Sequence, residues 1–112
     1  MKILMVCLGN ICRSPLAEGI LRHKLTKKGI KNVNVDSAGT SSYHTGQSPD
    51  NRSQENALTH GIDLSALRAR QFKTKDYDEF DKIYVMDASN YSDVISLARN
   101  ENDRQKVELI LN

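Results

Sequence analysis

Cys7, Arg13 and Ser14 stand within eight residues of one another in Cys7-Leu8-Gly9-Asn10-Ile11-Cys12-Arg13-Ser14. Together they are the side chains that covalent phosphoryl transfer requires. A cysteine supplies a soft nucleophile once it is a thiolate, and a position at the start of a helix favours the thiolate. An arginine six residues on has a planar fork that holds two phosphate oxygens and follows the charge as it shifts in the transition state. A serine hydroxyl beside the sulfur can donate to it both as nucleophile and as leaving group. A Cys and an Arg at this spacing are weak evidence alone, and the context strengthens them. Gly9 is expected to permit the turn, the loop N–H groups to form an anion nest, and a helix opening at Ser14-Pro15 to aim its positive end at the same spot. The alternatives are a buried inert thiol for Cys7, a surface charge for Arg13 and a plain N-cap for Ser14.

The flanking segments predict the elements that must hold this loop. Lys2 to Cys7 is a short apolar run without alternation, as in a strand buried on both faces of a parallel sheet. Ser14 as N-cap and Pro15 at the first helical position begin a helix in which Leu16, Ala17, Ile20, Leu21 and Leu25 keep a 3.6-residue period until Gly29. Val33 to Val35 reads as a second strand entering a loop at Asp36-Ser37-Ala38-Gly39, which completes a βαβ unit. Thr40 to Asp50, rich in Ser, Thr and Gly, is expected to be a surface loop carrying Tyr43. A helix follows from Asn51 to a stop at His60-Gly61, and Ile62 to Ser65 can start a further turn. Asp76 to Asp81 forms an acidic patch anchored by Tyr77 and Phe80. Ile83 to Met86 is a second buried strand, Ser89 could cap a helix through Val94, Ile95 and Leu97, and Val107 to Leu111 is a last strand. The alternation predicts an α/β fold: a small open parallel sheet flanked by helices on both faces, with the phosphate-binding loop between strand 1 and helix 1. An apolar strand at the end of the sequence with no helix after it suggests a fragment truncated at its C-terminus. An edge strand in a complete domain is the alternative.

Composition narrows the function. Sixteen Lys and Arg against fourteen Asp and Glu leave a net charge of +2 in 112 residues, with six aromatics. That is no basic stripe for nucleic acid. The longest apolar run, Ile3 to Leu8, is six residues, far below the ~20 of a membrane span, and no signal peptide is recognisable. The expectation is one cytoplasmic domain over residues 1–112 with no membrane or nucleic-acid partner. Two cysteines five apart, Cys7 and Cys12, can neither staple a fold nor build a thiolate zinc site. No metal and no cofactor are expected.

Cys7 to Pro15 resembles the signature loop of the low-molecular-weight protein tyrosine phosphatases. The likeness continues through Asp36-Ser37-Ala38-Gly39-Thr40, Gly46 with Pro49-Asp50 and Arg52, His60-Gly61-Ile62, Ala69-Arg70-Gln71, and Met86-Asp87 with Ser89-Asn90. It implies Cys7 as nucleophile, Arg13 as phosphate clamp and Ser14 as hydroxyl partner of the thiolate. Leu8, Gly9, Asn10, Ile11, Cys12 and Tyr43 would bind substrate, and Asn10, Ser37 and His60 would form a hydrogen-bond network that holds the loop. Taken alone, Asn10 could be a turn residue, Ser37 a loop hydroxyl and His60 a helix C-terminal charge. In the family, Cys12 can close a reversible disulfide with the nucleophile, although a small packed thiol remains equally open.

The implied reaction is hydrolysis of phosphotyrosine proteins or small aryl phosphates through a phosphocysteine, releasing inorganic phosphate. Ile11, where the arginine phosphatases of the family carry Thr, and Tyr43 as an aromatic wall favour a phenol ring. The family also carries an Asp-Pro motif with aromatics well after the strand matched by Val107 to Leu111, and its Asp protonates the leaving phenolate. No Asp-Pro pair occurs here, and Pro49-Asp50 has the reverse order. The general-acid loop and last helix are therefore expected beyond residue 112. Rival readings are an arginine phosphatase of the same fold and a phosphate- or phosphoprotein-binding module without turnover. An arsenate reductase would need a cysteine relay, and no cysteine follows Cys12.

Overall fold

The computed structural model describes residues 1–110. β1 (Lys2–Cys7) is paired along both edges, in parallel with β2 (Asn34–Gly39) from Lys2↔Asn34 to Cys7↔Gly39, and with β3 (Lys82–Val85) from Ile3↔Lys82 to Val6↔Val85. β4 (Val107–Leu109) adds outside β3, so the all-parallel order is β2-β1-β3-β4. The expected last strand reached Leu111, a residue outside those described.

A central strand must bury both faces, which accounts for the unbroken apolar run in β1. Leu4 and Val6 pack with Ala38, Phe72, Tyr77, Phe80, Ile83, Val85 and Val94 in the main core. Met5 faces the other way, toward Ala17 and Leu21 of α1 (Arg13–Lys27). Helices thus cover both faces, as expected. A smaller cluster of Ala57, Ile62 and Leu64, joined by Leu16 and Leu67, seats α1 against α2 (Asn51–Leu58).

Several boundaries differ from expectation for local reasons. α1 begins at Arg13 with Cys12 at its N-cap and no side-chain cap bond, because the Ser14 hydroxyl is turned inward to Cys7. β2 runs through Ser37, Ala38 and Gly39, which were expected to be loop, because β1 offers ladder partners as far as Cys7. The acidic patch supplies α3 (Asp76–Glu79), in which Asp76 is buried and accepts from Lys73 N at 2.8 Å. Tyr77 and Phe80 are the core anchors foreseen there, and the Tyr77 hydroxyl donates to Val94 O at 2.6 Å. α4 (Ala88–Ile95) is capped by Asp87, whose Oδ1 accepts from Asn90 N at 2.8 Å, not by Ser89. α5 (Glu101–Gln105), capped by Asn100, is polar and too short to show a period in the sequence. Among the described residues no helix is long and apolar enough to cross a membrane.

The connection from β1 leads to β2 on one side, and the chain then returns past β1 to β3. The carboxyl ends of β1 and β3 therefore diverge at a topological switch point, where open α/β sheets bind ligands. Residues 8–12 and Asp87 both lie there.

Candidate active site

Cys7, the last residue of β1, is almost fully buried. Its Sγ lies 2.9 Å from Ser14 Oγ and accepts from Asn10 N at 3.2 Å. The loop that turns around it does so through Asn10, at φ 58°, the left-handed region that Asn tolerates better than most side chains. The turn was expected at Gly9. Gly9 serves a different purpose: a Cβ there would stand 2.9 Å from His44 Cδ2, so its bareness lets the loop at 41–46 close over the site.

Asn10 is buried under the loop and is not among the residues lining the cleft, unlike the other expected substrate contacts. Its Nδ2 donates to Ser14 Oγ and to Ser37 Oγ, both at 2.9 Å, and its Oδ1 accepts from Arg70 N at 3.0 Å. One amide thus ties β1, α1, β2 and the segment before Phe72 together. His60 has no part in this network. It is exposed at the foot of α2, where its N–H bonds Ala57 O. The network is closed instead by Glu18, a residue on α1 that sequence reasoning missed: Ser37 Oγ donates to Glu18 Oε1 at 2.6 Å, and Arg22 Nη2 donates to Glu18 Oε2 at 2.5 Å. Burial pushes the Glu18 carboxyl above its ordinary range, opposed by the Ser37 hydrogen bond and the Arg22 charge and reinforced by Asp36. A signal existed in the spacing, since Ser14, Glu18 and Arg22 recur every four residues along one helix face.

Arg70 and Asp87 were within the matched motifs without an assigned role. Arg70 is held by Asp36 at 3.3 Å and Asp76 at 3.1 Å, and its backbone closes on both Asn10 and Gly39. Asp87 Oδ2 lies 3.0 Å from Arg13 Nη1. Its carboxyl is held below the ordinary range, first by the Asn90 N–H that it caps and then by Arg13.

The site opens as a cleft of about 540 Å³ lined by Cys7, Leu8, Gly9, Ile11, Cys12, Arg13, Ser41, Tyr43 and His44. The expected contacts Leu8, Gly9, Ile11, Cys12 and Tyr43 therefore share one cleft with Arg13. Leu8 and Tyr43 are exposed, and Tyr43 meets His44 edge to face at 4.8 Å. Both cysteines are free thiols, Cys7 buried and Cys12 exposed. The first turn of α1 leaves backbone N–H groups and the positive end of its dipole at the loop, so the cleft suits an oxyanion bound over a thiol. Among the described residues no group of three or more His, Cys, Asp or Glu could hold a metal.

Gly39 limits how this floor can change. A Cβ there would lie 2.7 Å from Leu8 O and 3.0 Å from Gly9 C, both backbone atoms. Gly39→Ala is expected to cost about 1–3 kcal/mol through overpacking, read as a lower urea midpoint, and to weaken phosphate binding by moving the loop. An unchanged midpoint and phosphate affinity would refute this account.

Residues 2–112 match the sequence model of the family described as low molecular weight phosphotyrosine protein phosphatase. The human low molecular weight phosphotyrosine protein phosphatase is 45% identical over 114 residues, covering 97% of this chain and 70% of its own length. The crystal structure of YfkJ from Bacillus subtilis superposes with a TM-score of 0.93 at 39% identity, covering 99% of this chain and 70% of the other. The crystal structure of DARP, a Drosophila arginine phosphatase, superposes with a TM-score of 0.90 at 36% identity over 97% of this chain and 70% of its own. The chain spans about two thirds of the length of the curated relatives it matches, between 65% and 70%. With the family model matched over residues 2–112 and a relative 45% identical over 97% of this chain, the chain belongs to the low molecular weight phosphotyrosine protein phosphatase family.

Proposed function

We propose that this chain takes the phosphoryl group of phosphotyrosine onto Cys7 and passes it to water. The carrying observation is a buried thiol, 2.9 Å from one hydroxyl and bonded by one backbone N–H, at the floor of a cleft that Arg13 shares. In the first step Sγ attacks phosphorus, the P–O bond to the phenol breaks, and its electron pair leaves with the phenolate oxygen, which takes a proton. In the second, water attacks phosphorus, loses a proton, and the P–S bond breaks to return the thiolate and release inorganic phosphate. Arg13 and the loop N–H groups hold the equatorial oxygens through both steps, and Ser14 donates to the sulfur when it carries charge.

The proton for the phenolate is not assigned to either carboxylate of known position near the loop. Asp87 is kept ionised by its N–H and guanidinium donors, and Asp50 caps α2 while its backbone N–H holds Ile11 O at 2.7 Å. The family's Asp-Pro motif has no counterpart in this sequence. A cytoplasmic location fits two free thiols.

The apolar rim of Leu8, Ile11 and Tyr43 supports an aryl substrate, whereas similarity to DARP supports phosphoarginine as the second reading. Rapid quenching with labelled phosphotyrosyl peptide should trap a phosphocysteine on Cys7, and reversible anion binding without label would leave only a binding module. Among phosphotyrosine, phosphoarginine and phosphoserine peptides, phosphotyrosine should be turned over fastest. Tyr43→Ala should lower kcat/KM for it by about 2–10-fold, the worth of one ring contact, and Ile11→Thr should shift the ranking toward phosphoarginine. Fastest turnover of phosphoarginine by the wild type, or a ranking that neither substitution changes, would overturn the tyrosine preference.

A further inference from the structure

The net charge of +2 conceals a separation of charge along the molecule. Residues 20–35 carry Arg22, Lys24, Lys27, Lys28 and Lys31 and no Asp or Glu, so the other 96 residues hold eleven cations against fourteen anions. Arg22 is paired with Glu18 at 2.5 Å. The four lysines are exposed, and none lies within ion-pair distance of a carboxylate among the described residues. The helix dipole accounts for only part of this cluster, since Lys24 and Lys27 stand in the last turn of α1 and Lys28 and Lys31 follow it.

The fold gathers these lysines at one pole. Lys24, Lys27 and Lys28 are three and four residues apart and share a helix face. The turn after them is closed by Gly29 N–H on Thr26 O at 3.1 Å and Ile30 N–H on Leu25 O at 2.9 Å, with Gly29 at φ 70°, so Lys31 is held at the same end. α1 runs back from the carboxyl edge of the sheet to its amino edge, which puts about 22 Å of helix between this end and Arg13 at the cleft. The chemistry of the pole suits a broad anionic surface. A lysine ammonium is a compact charge on a flexible stem that can follow many mobile phosphate heads, whereas capture of one fixed anion favours the planar fork of arginine. The one arginine here is already taken by Glu18. Ile30, 40% exposed between Lys28 and Lys31, adds an apolar side chain that can enter a headgroup layer.

We propose that this lysine pole is a peripheral docking surface for an anionic lipid bilayer, which it binds weakly and reversibly through Lys24, Lys27, Lys28 and Lys31. Clusters of four or more lysines and arginines are what such surfaces attract. The proposal goes beyond the phosphatase reading and does not depend on it. The expectation of no membrane partner came from net charge and from the length of apolar runs, and neither registers a charge pole. No membrane span is involved.

Co-sedimentation with vesicles tests this. Phosphatidylcholine vesicles containing about 30 mol% phosphatidylserine should bind the protein at low salt and release it at about 0.5 M salt, because screening shortens the reach of exposed charge. Vesicles of phosphatidylcholine alone should not retain it. Each lysine at an anionic surface is worth about fivefold in partition, so Lys27→Gln with Lys28→Gln should weaken binding by about tenfold or more. Lys73→Gln with Lys75→Gln removes the same charge from an exposed segment at the start of α3 and should change binding by less than about threefold. Circular dichroism checks that the variants fold, and if the first pair does not, Lys31→Gln carries the test with an expected loss of about fivefold. No binding to the anionic vesicles, equal retention by phosphatidylcholine alone, or unchanged binding in the pole variants would overturn the proposal, as would equal losses in the two double variants. Tighter binding to poly-glutamate than to vesicles of equal charge would also overturn it, by making the occupant an acidic protein segment.

Discussion

Cys7→Ser is expected to lose turnover by about 10⁵–10⁶-fold while still binding inorganic phosphate at least as well as the wild type. Removal of a nucleophile that acts as one unit with its partners ordinarily costs that much. The surroundings of Cys7 explain why an oxygen would not substitute. Asn10 N–H donates to Sγ and Ser14 Oγ lies 2.9 Å from it, and neither group is a base that could take a proton from a serine. The hydroxyl would remain protonated at neutral pH and could not attack. The oxyanion nest is built from α1 and the loop and would remain after the substitution. Turnover of p-nitrophenyl phosphate and calorimetric titration with phosphate measure the two halves separately. Activity within about a hundredfold of wild type would exclude Cys7 as nucleophile.

Arg13→Lys should cost about 10³-fold in kcat/KM, although the charge is kept. The planar fork can bind two oxygens of a phosphoryl group as they flatten in the transition state, whereas an ammonium group offers a point charge on a flexible stem. Asp87 adds to this. Its Oδ2 holds Nη1 at 3.0 Å while Oδ1 is anchored on Asn90 N, so the guanidinium plane is oriented before substrate arrives. A lysine could form the ion pair with Asp87 or reach the phosphate, but could not present one rigid plane to both. The expected loss falls mainly on kcat, with a smaller effect on phosphate affinity. A loss below about tenfold would show that Arg13 contributes charge alone.

Cys7, Arg13 and Ser14 were legible together because a strand end and a helix start confine them to eight residues, and local physics is enough to bring them into one place. The parallel sheet was legible for a similar reason, since an unalternating apolar strand such as β1 has few other uses. What escaped is held by tertiary contact. Arg70 enters the site through its backbone N–H, which carries no side-chain signature. Asp87 becomes informative only once β3 is known to lie beside β1. His60 was expected in the network only because the family resemblance implied it; here it is exposed at the end of α2, and Ser37 donates instead to Glu18 of α1. Asn10 took the left-handed turn expected of Gly9 because its side chain has three partners below the loop, which offset the strain.

Those three partners lie 4, 27 and 60 residues along the chain from Asn10. Loop-closure entropy makes the last of them roughly 2 kcal/mol harder to form than the first, before any neighbouring contact helps. No early, locally folded piece of the chain can complete the cradle. The surroundings of the Cys7 sulfur are complete only when β1, β2 and the segment at Arg70 have docked, so the site forms with the global fold and not from any local stretch of the chain.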